Sequence, residues 1–196
     1  MQIIQIRALV FTALFAALFI VLSMQQMRLP ISAIPITLQT LGIIFAGLFL
    51  KPKYAFGSIV VVILLTLPGL PLFGGRGGLS HLLGATGGFI FAFPFCALLT
   101  SMAINQVFKR EKISQNKPIL LFLLFLIFFV ISSALSYPTG LLWMKHVLTD
   151  YTWTKTVNVA LTFLPGDAIK SAFGAIIGTA MYSYIKDFRL RLEARS

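Results

Sequence analysis

Asp167 and Lys170 stand three residues apart in Leu164-Pro-Gly-Asp-Ala-Ile-Lys170, flanked by long apolar runs. Residues at i and i+3 share one helix face, so the carboxylate and the ammonium group point the same way. A charged side chain facing lipid at the bilayer centre costs about 2.5–3.5 kcal/mol on insertion scales. The pair is therefore expected to face the interior of a helix bundle or its outer mouth. The aspartate can accept from a ligand N–H, and the lysine can donate to a carbonyl or carboxylate; the bland alternative is an ion pair that only caps a helix. With Pro165 taken as a first-turn residue, Asp167 falls in the first turn, where the helix dipole favours an anion.

A second polar island is "GGRGGLSHLLGATGG", residues 74–88, in which seven of fifteen residues are glycine. Glycine permits backbone angles other residues avoid and lets the chain approach a ligand closely. A Walker phosphate loop needs Gly-Lys followed by Ser or Thr, and no lysine lies between Lys53 and Lys109. A dinucleotide fingerprint needs a preceding strand, for which there is no signal. Arg76 offers a full positive charge. Thr86, Gly87 and Gly88 sit where a helix begins, with its free N–H groups. Together they suit an anionic or carbonyl-bearing solute; otherwise the segment is a tight turn whose arginine faces water. His81 lacks a second group for acid–base catalysis, and with His146 the only other histidine a metal site is not expected. Apolar and aromatic residues available to wall a pocket are Phe73, Phe89, Tyr137, Trp143 and Phe163.

These islands must be carried by membrane helices. The 196 residues are 58% hydrophobic and 11% charged, whereas soluble domains carry about 25% charged residues. An integral membrane protein with a single domain over 1–196 follows, with no room for a separate soluble catalytic domain. Expected helices run about 6–25, 36–50, 54–67, 86–108, 118–136 and 165–186, with a break near Pro138. Over 138–163 a loop and a surface helix are expected, with Trp143, Tyr151 and Trp153 in an aromatic belt. The first helix lacks a small-x-small cleavage site at Ser23–Met27 and reads as a span rather than a signal peptide. Cys96, the only cysteine, permits no internal disulfide.

The net charge of +11 sits in short connections, which argues for orientation in a bilayer and against nucleic acid. With the N-terminus inside, eleven cations are cytoplasmic: Arg7, Lys51, Lys53, Lys109, Arg110, Lys112, Lys117, Lys186, Arg189, Arg191 and Arg195. Arg28, Arg76, Lys145 and Lys155 lie outside. Six transmembrane helices result, both termini cytoplasmic, with the glycine loop facing outward over a pocket. On the first helix Ala8, Thr12 and Ala16 form one small-residue row and Ala13 and Ala17 another, suited to internal packing or to a membrane partner.

The chain resembles the BioY family, the biotin-binding substrate subunits (S components) of energy-coupling factor (ECF) transporters. Pro35–Thr40, "PLFGGRGGLSHLLGATGGFIFAF" at 71–93 and "FLPGDAIK" at 163–170 carry the resemblance. It implies a multi-pass protein of the bacterial cytoplasmic membrane that captures biotin from outside, with no cofactor and no ATPase motif of its own. Its implied partners are a membrane coupling subunit and two cytoplasmic ATPases. It also implies binding roles for Gly74, Gly75, Gly77, Gly78, Thr86, Gly87, Gly88, Asp167 and Lys170, and partner docking through Ala13 and Ala17. Ala85 stands where the family usually has proline. Other readings are an S component for thiamin or riboflavin, a small membrane enzyme, or a membrane scaffold.

Overall fold

The computed structural model describes residues 2–27 and 36–192. Arg28, Pro35 and Arg195, which figure in the expectations above, lie outside the described residues. The fold is a helical bundle. Helix α1 spans Gln2–Met24, α2 Gln39–Phe49, α3 Pro52–Thr66 and α5 Gly87–Lys109. A single helical turn, α4 (Leu79–Leu82), lies inside the glycine segment, and another, α6 (Glu111–Ser114), follows α5. Helix α7 (Lys117–Ile127) runs through a π-helical segment, Phe128–Ala134, into α8 (Ser136–Val147). The chain ends in α9 (Trp153–Ala180) and α10 (Tyr182–Arg191). A two-stranded antiparallel ribbon joins α1 to α2, with β1 (Gln26–Met27) pairing Gln26 to Thr37 and Met27 to Ile36 of β2 (Ile36–Thr37).

Four stretches are long and apolar enough to cross a membrane: Ile6–Met24, Gly87–Lys109, Lys117–Val147 and Trp153–Ala180. The exterior is apolar, with Leu9, Phe122, Ile169 and Ile176 among its exposed side chains. Helix α5 sits at the centre, packed on α2, α3 and α8. Helix α2 has only 11 residues, about half of what a perpendicular span needs. Eight of them, from Thr40 to Leu48, are buried, so it is shielded by its neighbours.

Two expectations about helix boundaries fail for the same reason, the weight given to proline. No break occurs at Pro138. The π-helical widening precedes it, with Leu135 N–H donating to Val130 O at 2.8 Å, and the Ser136 hydroxyl donates to Ser133 O at 2.8 Å. Carbonyls near the proline thereby gain side-chain partners, which is how bundled membrane helices tolerate it. Likewise Pro165 does not start a helix. Helix α9 begins at Trp153 with Thr152 as N-cap, its hydroxyl accepting from Lys155 N–H at 3.3 Å. Asp167 is therefore mid-helix, beyond the reach of the N-terminal dipole. Over 138–163 the expected separate surface helix is replaced by the ends of two long helices, and the loop shrinks to residues 148–152.

Arg189, counted among the cytoplasmic cations, is 3% exposed. Its guanidinium donates to Gly47 O (2.9 Å) and Leu48 O (2.7 Å) at the C-terminus of α2, and to Ser101 O, Ser101 Oγ and Asn105 Oδ1 on α5. The last carbonyls of a helix have no internal partner, and a cation there opposes the partial negative charge of the helix end. One side chain thus caps α2 and ties α10 to α5. Each buried carbonyl left unpaired costs about 1–3 kcal/mol. Arg189→Ala should accordingly lower stability by about 3 kcal/mol or more in denaturation of the purified protein, while Arg191→Ala, at an exposed position, should change it by about 0.5 kcal/mol or less.

Candidate functional site

Asp167 and Lys170 face inward from α9, 3% and 8% exposed, while Ile169 between them points out at 71%. Their ion pair measures 2.6 Å from Lys170 Nζ to Asp167 Oδ1. Three further groups hold it. The Thr40 hydroxyl donates to Asp167 Oδ1 at 2.9 Å, the Tyr137 hydroxyl donates to Asp167 Oδ2, and Lys170 Nζ donates to Thr37 O at 2.9 Å. Each partner depends on a feature of the fold. Thr37 lies on the ribbon, Thr40 in the first turn of α2, and Tyr137 just beyond the π-helical segment.

The pair forms the floor of a cavity with about 790 Å³ of empty space counted to its mouth. Phe89 and Phe93 of α5, Tyr137 and Phe163 wall it, with Phe89 meeting Tyr137 and Phe163 edge-on at 6.3 and 6.2 Å. Gln26, Gly74, Arg76, His81 and Thr86 line its upper part. Small-molecule sites are typically concave and mostly apolar, with a few convergent polar groups that fix orientation.

A carboxylate has about four lone-pair sites and an ammonium three N–H donors. Thr40, Tyr137 and Lys170 occupy three of the former; Asp167 and Thr37 O occupy two of the latter. One acceptor site, on Asp167 Oδ2, and one Lys170 N–H remain. The floor can therefore take one N–H and give one N–H to a carbonyl.

The glycine segment divides into parts. Gly74 and Gly75, with φ of +60° and +75°, form a tight turn closed by two 3.0 Å bonds between Phe73 and Arg76. Positive φ at both central positions is the type I′ pattern that favours Gly-Gly. Gln26 Nε2 donates to Gly74 O at 3.0 Å, and the Ser23 hydroxyl donates to Leu72 O, tying the turn to the end of α1. Of the predicted residues, Gly74, Arg76, Thr86, Asp167 and Lys170 line the cavity; Gly75, Gly77, Gly78, Gly87 and Gly88 do not. Gly87 and Gly88 are where α5 meets α8. A Cβ on Gly88 would come within 2.4 Å of Trp143 Cβ and 2.5 Å of Thr139 O. Trp143 itself is no pocket wall; its indole N–H donates to Gly84 O at 2.9 Å. On α1, Ala8, Thr12 and Ala16 are buried, whereas Ala13 and Ala17 are exposed. Sequence reasoning gave no role to Gln26, Thr37, Thr40 or Phe93. Thr37 and Thr40 lie in the stretch quoted for the family resemblance, the only signal that pointed at them.

His81 lies on α4, its ring 6.2 Å from that of Phe73. Partial burial, and secondarily the Arg76 charge, push its pKa below the ordinary 6.5.

A model described as "BioY family" matches residues 1–187. The chain is 35% identical over 167 residues to the probable biotin transporter BioY of Bacillus subtilis (strain 168), covering 84% of each chain. It is 32% identical over 177 residues to the biotin transporter BioY of Rhizobium etli, covering 89% of this chain and 92% of that one. A crystal structure of the S-component for biotin from an ECF-type ABC transporter superposes with a TM-score of 0.78 at 26% identity, covering 93% of this chain and 94% of the other.

A histidine pKa lowered on folding means that the unfolded chain binds more protons just below pH 6.5, so stability rises with pH through that window and levels off above it. Below the folded-state pKa the penalty is fully present. His81→Gln should flatten the stability profile between about pH 5 and 6.5 relative to the parent protein, as read from thermal unfolding across that range. An unchanged profile would show that His81 contributes nothing to it.

Proposed function

The chain belongs to the BioY family, and from that premise we infer that it takes up biotin as the substrate-binding S component of an ECF transporter rather than acting as an enzyme. The observation that carries the site assignment is the buried Asp167–Lys170 pair, with one acceptor and one donor left at the floor of an aromatic-walled cavity.

Biotin presents a ureido ring with two N–H groups and one carbonyl, an apolar bicycle and a carboxylate tail. Asp167 accepts one ureido N–H, and Lys170 donates to the ureido carbonyl. The bicycle lies among Phe89, Phe93, Tyr137 and Phe163. The carboxylate stays at the mouth beside Arg76, which is exposed, with Thr86 and Gln26 near it. Physical cost favours this direction. A neutral ureido group on a neutral ion pair adds no charge to the interior, whereas a buried carboxylate would need a cation the floor has already committed to Asp167. Gly75, Gly77, Gly78, Gly87 and Gly88 act on the ligand indirectly, by shaping the segment that carries Gly74, Arg76 and Thr86.

Orientation follows from charge. The proposed fold is one membrane domain with six spans: α1, α2, α3, α5, α7–α8 and α9, both termini in the cytoplasm. Lys51, Lys109, Lys186 and Arg189 gather at the end of the bundle away from the cavity, and Arg7, Arg110, Lys112 and Lys117 flank helix ends on that side. The excess of cations marks the cytoplasmic side of the bacterial cell membrane, so the cavity opens outward. Ala13 and Ala17, exposed on α1, dock the coupling subunit, and two cytoplasmic ATPases supply the energy. Biotin, the ligand in the relatives' names, is favoured over thiamin or riboflavin.

Labelled biotin should bind the purified protein and be displaced by unlabelled biotin but not by thiamin or riboflavin. Asp167→Asn should weaken binding more than tenfold with normal yield of folded protein; unchanged affinity removes Asp167 from the site. For the mouth, an uncharged biotin amide should bind more weakly than biotin to the parent protein, and Arg76→Gln should abolish most of that difference. A difference that survives the substitution would place the carboxylate elsewhere.

A further inference from the structure

Two basic side chains, Arg76 and His81, line the upper part of the Asp167 cavity. Both stand on the same buried residue. Phe73, 2% exposed, donates its N–H to Arg76 O and accepts from Arg76 N–H, both at 3.0 Å, and its ring lies 6.2 Å from that of His81. His81 belongs to the single turn α4, which is anchored by the fully buried Leu82 while Leu79 and Leu83 are exposed. The His81 backbone is satisfied within the glycine segment: its N–H donates to Gly78 O and its carbonyl accepts from Gly84 N–H, each at 3.1 Å. Among the described residues no hydrogen bond holds the imidazole, which is half-buried.

The other titratable groups of the cavity are committed elsewhere. Asp167, Lys170 and Tyr137 form the bonded network of the floor, and Asp167 is the only carboxylate among the described lining residues. The first turns of α5, from Gly87 to Phe93, bring no titratable group, and the end of α1 brings Gln26. Lys145 and His146, past Trp143 on α8, and Asp150 and Lys155 do not line the cavity. A carboxylate at the mouth would thus meet Arg76 and His81 and no competing anion. A neutral imidazole can offer it one N–H; an imidazolium offers two and a full charge. Partial burial and the Arg76 charge disfavour that cation in the protein by itself, whereas an opposite charge within about 4–6 Å favours it. Resting on the ligand direction given above, we propose that His81 is a second carboxylate-recognising residue, which takes up a proton as biotin binds and so makes capture tighter in acid. Linkage is reciprocal: the factor by which a bound carboxylate strengthens proton binding at His81 is the factor by which protonation strengthens ligand binding.

The test titrates biotin and its uncharged amide into the purified full-length protein at about pH 5.5, 6.5 and 7.5, with the folded fraction checked at each pH. A side-chain carboxylic acid ionises near about pH 4.3, so the biotin tail stays charged throughout. In the parent protein biotin affinity should rise about threefold or more from the highest pH to the lowest, the effect of a coupling near one pKa unit. The affinity of the amide should stay flat over the same range. His81→Gln should flatten the biotin profile, whereas His146→Gln, at an exposed position outside the cavity lining, should keep it. A flat biotin profile in the parent overturns the proposal. So does a slope that the amide shares, which would place the titration at the ureido end, and so does a slope that survives His81→Gln. Failure of biotin to bind at any pH overturns the functional reading as well, so the two failures are told apart.

Discussion

An ion pair buried in a helical bundle is costly unless its remaining hydrogen-bonding sites are occupied, and most of the architecture around Asp167 and Lys170 serves that requirement. Thr40, Tyr137 and Thr37 O arrive from three separate elements and converge within hydrogen-bonding reach. The pair is held in one geometry before any ligand enters. Preorganisation of this kind lowers the ordering cost of binding, and one acceptor site and one donor of the pair stay uncommitted within the protein.

Bringing the three partners together explains features that would otherwise look incidental. The π-helical segment Phe128–Ala134 places one more residue in each turn than an α-helix would, so α8 emerges rotated relative to α7. That change of phase puts Tyr137 against Asp167 while Leu120 and Leu124 stay buried in the lower core. The close approach of α5 and α8 at Gly87 and Gly88 has a related effect. It brings Trp143 within reach of Gly84 O and so fixes the segment that carries Thr86. At the far end Arg189 holds the C-terminus of α2, whose N-terminus carries Thr40. One short helix thus joins the Asp167 hydrogen-bond network at its start to the Arg189 network at its end.

Much of this was legible in the sequence, and the failures have physical causes. Asp167 and Lys170 stood out because charge beside hydrocarbon is expensive. The glycine segment stood out by composition, and the helix expected from about 118 starts at Lys117, where Asn116 caps it. Threonines among apolar residues carry no comparable signal, so Thr37 and Thr40 passed without a role. Prolines at 138 and 165 were read by the rules of helices in water, where an unpaired carbonyl ends the element; in a packed bundle side-chain hydroxyls supply partners. Arg189 was counted with Arg191 among the cytoplasmic cations, and nothing local distinguishes the two. Its burial depends on the carbonyls at the end of α2, far away in sequence. Trp143 was read as a pocket wall or interface anchor, whereas its partners lie on α5 and in the glycine segment.

Family membership and an aromatic cavity alone do not decide whether the ion pair touches the ligand. A double cycle between protein and ligand does. Affinities of biotin and of an analogue methylated at a ureido nitrogen would be compared on the parent protein and on Asp167→Asn. Direct acceptance of a ureido N–H by Asp167 predicts a large loss on methylation in the parent and a much smaller one in the variant. Equal losses in both proteins would contradict it and would leave Asp167 a structural residue only.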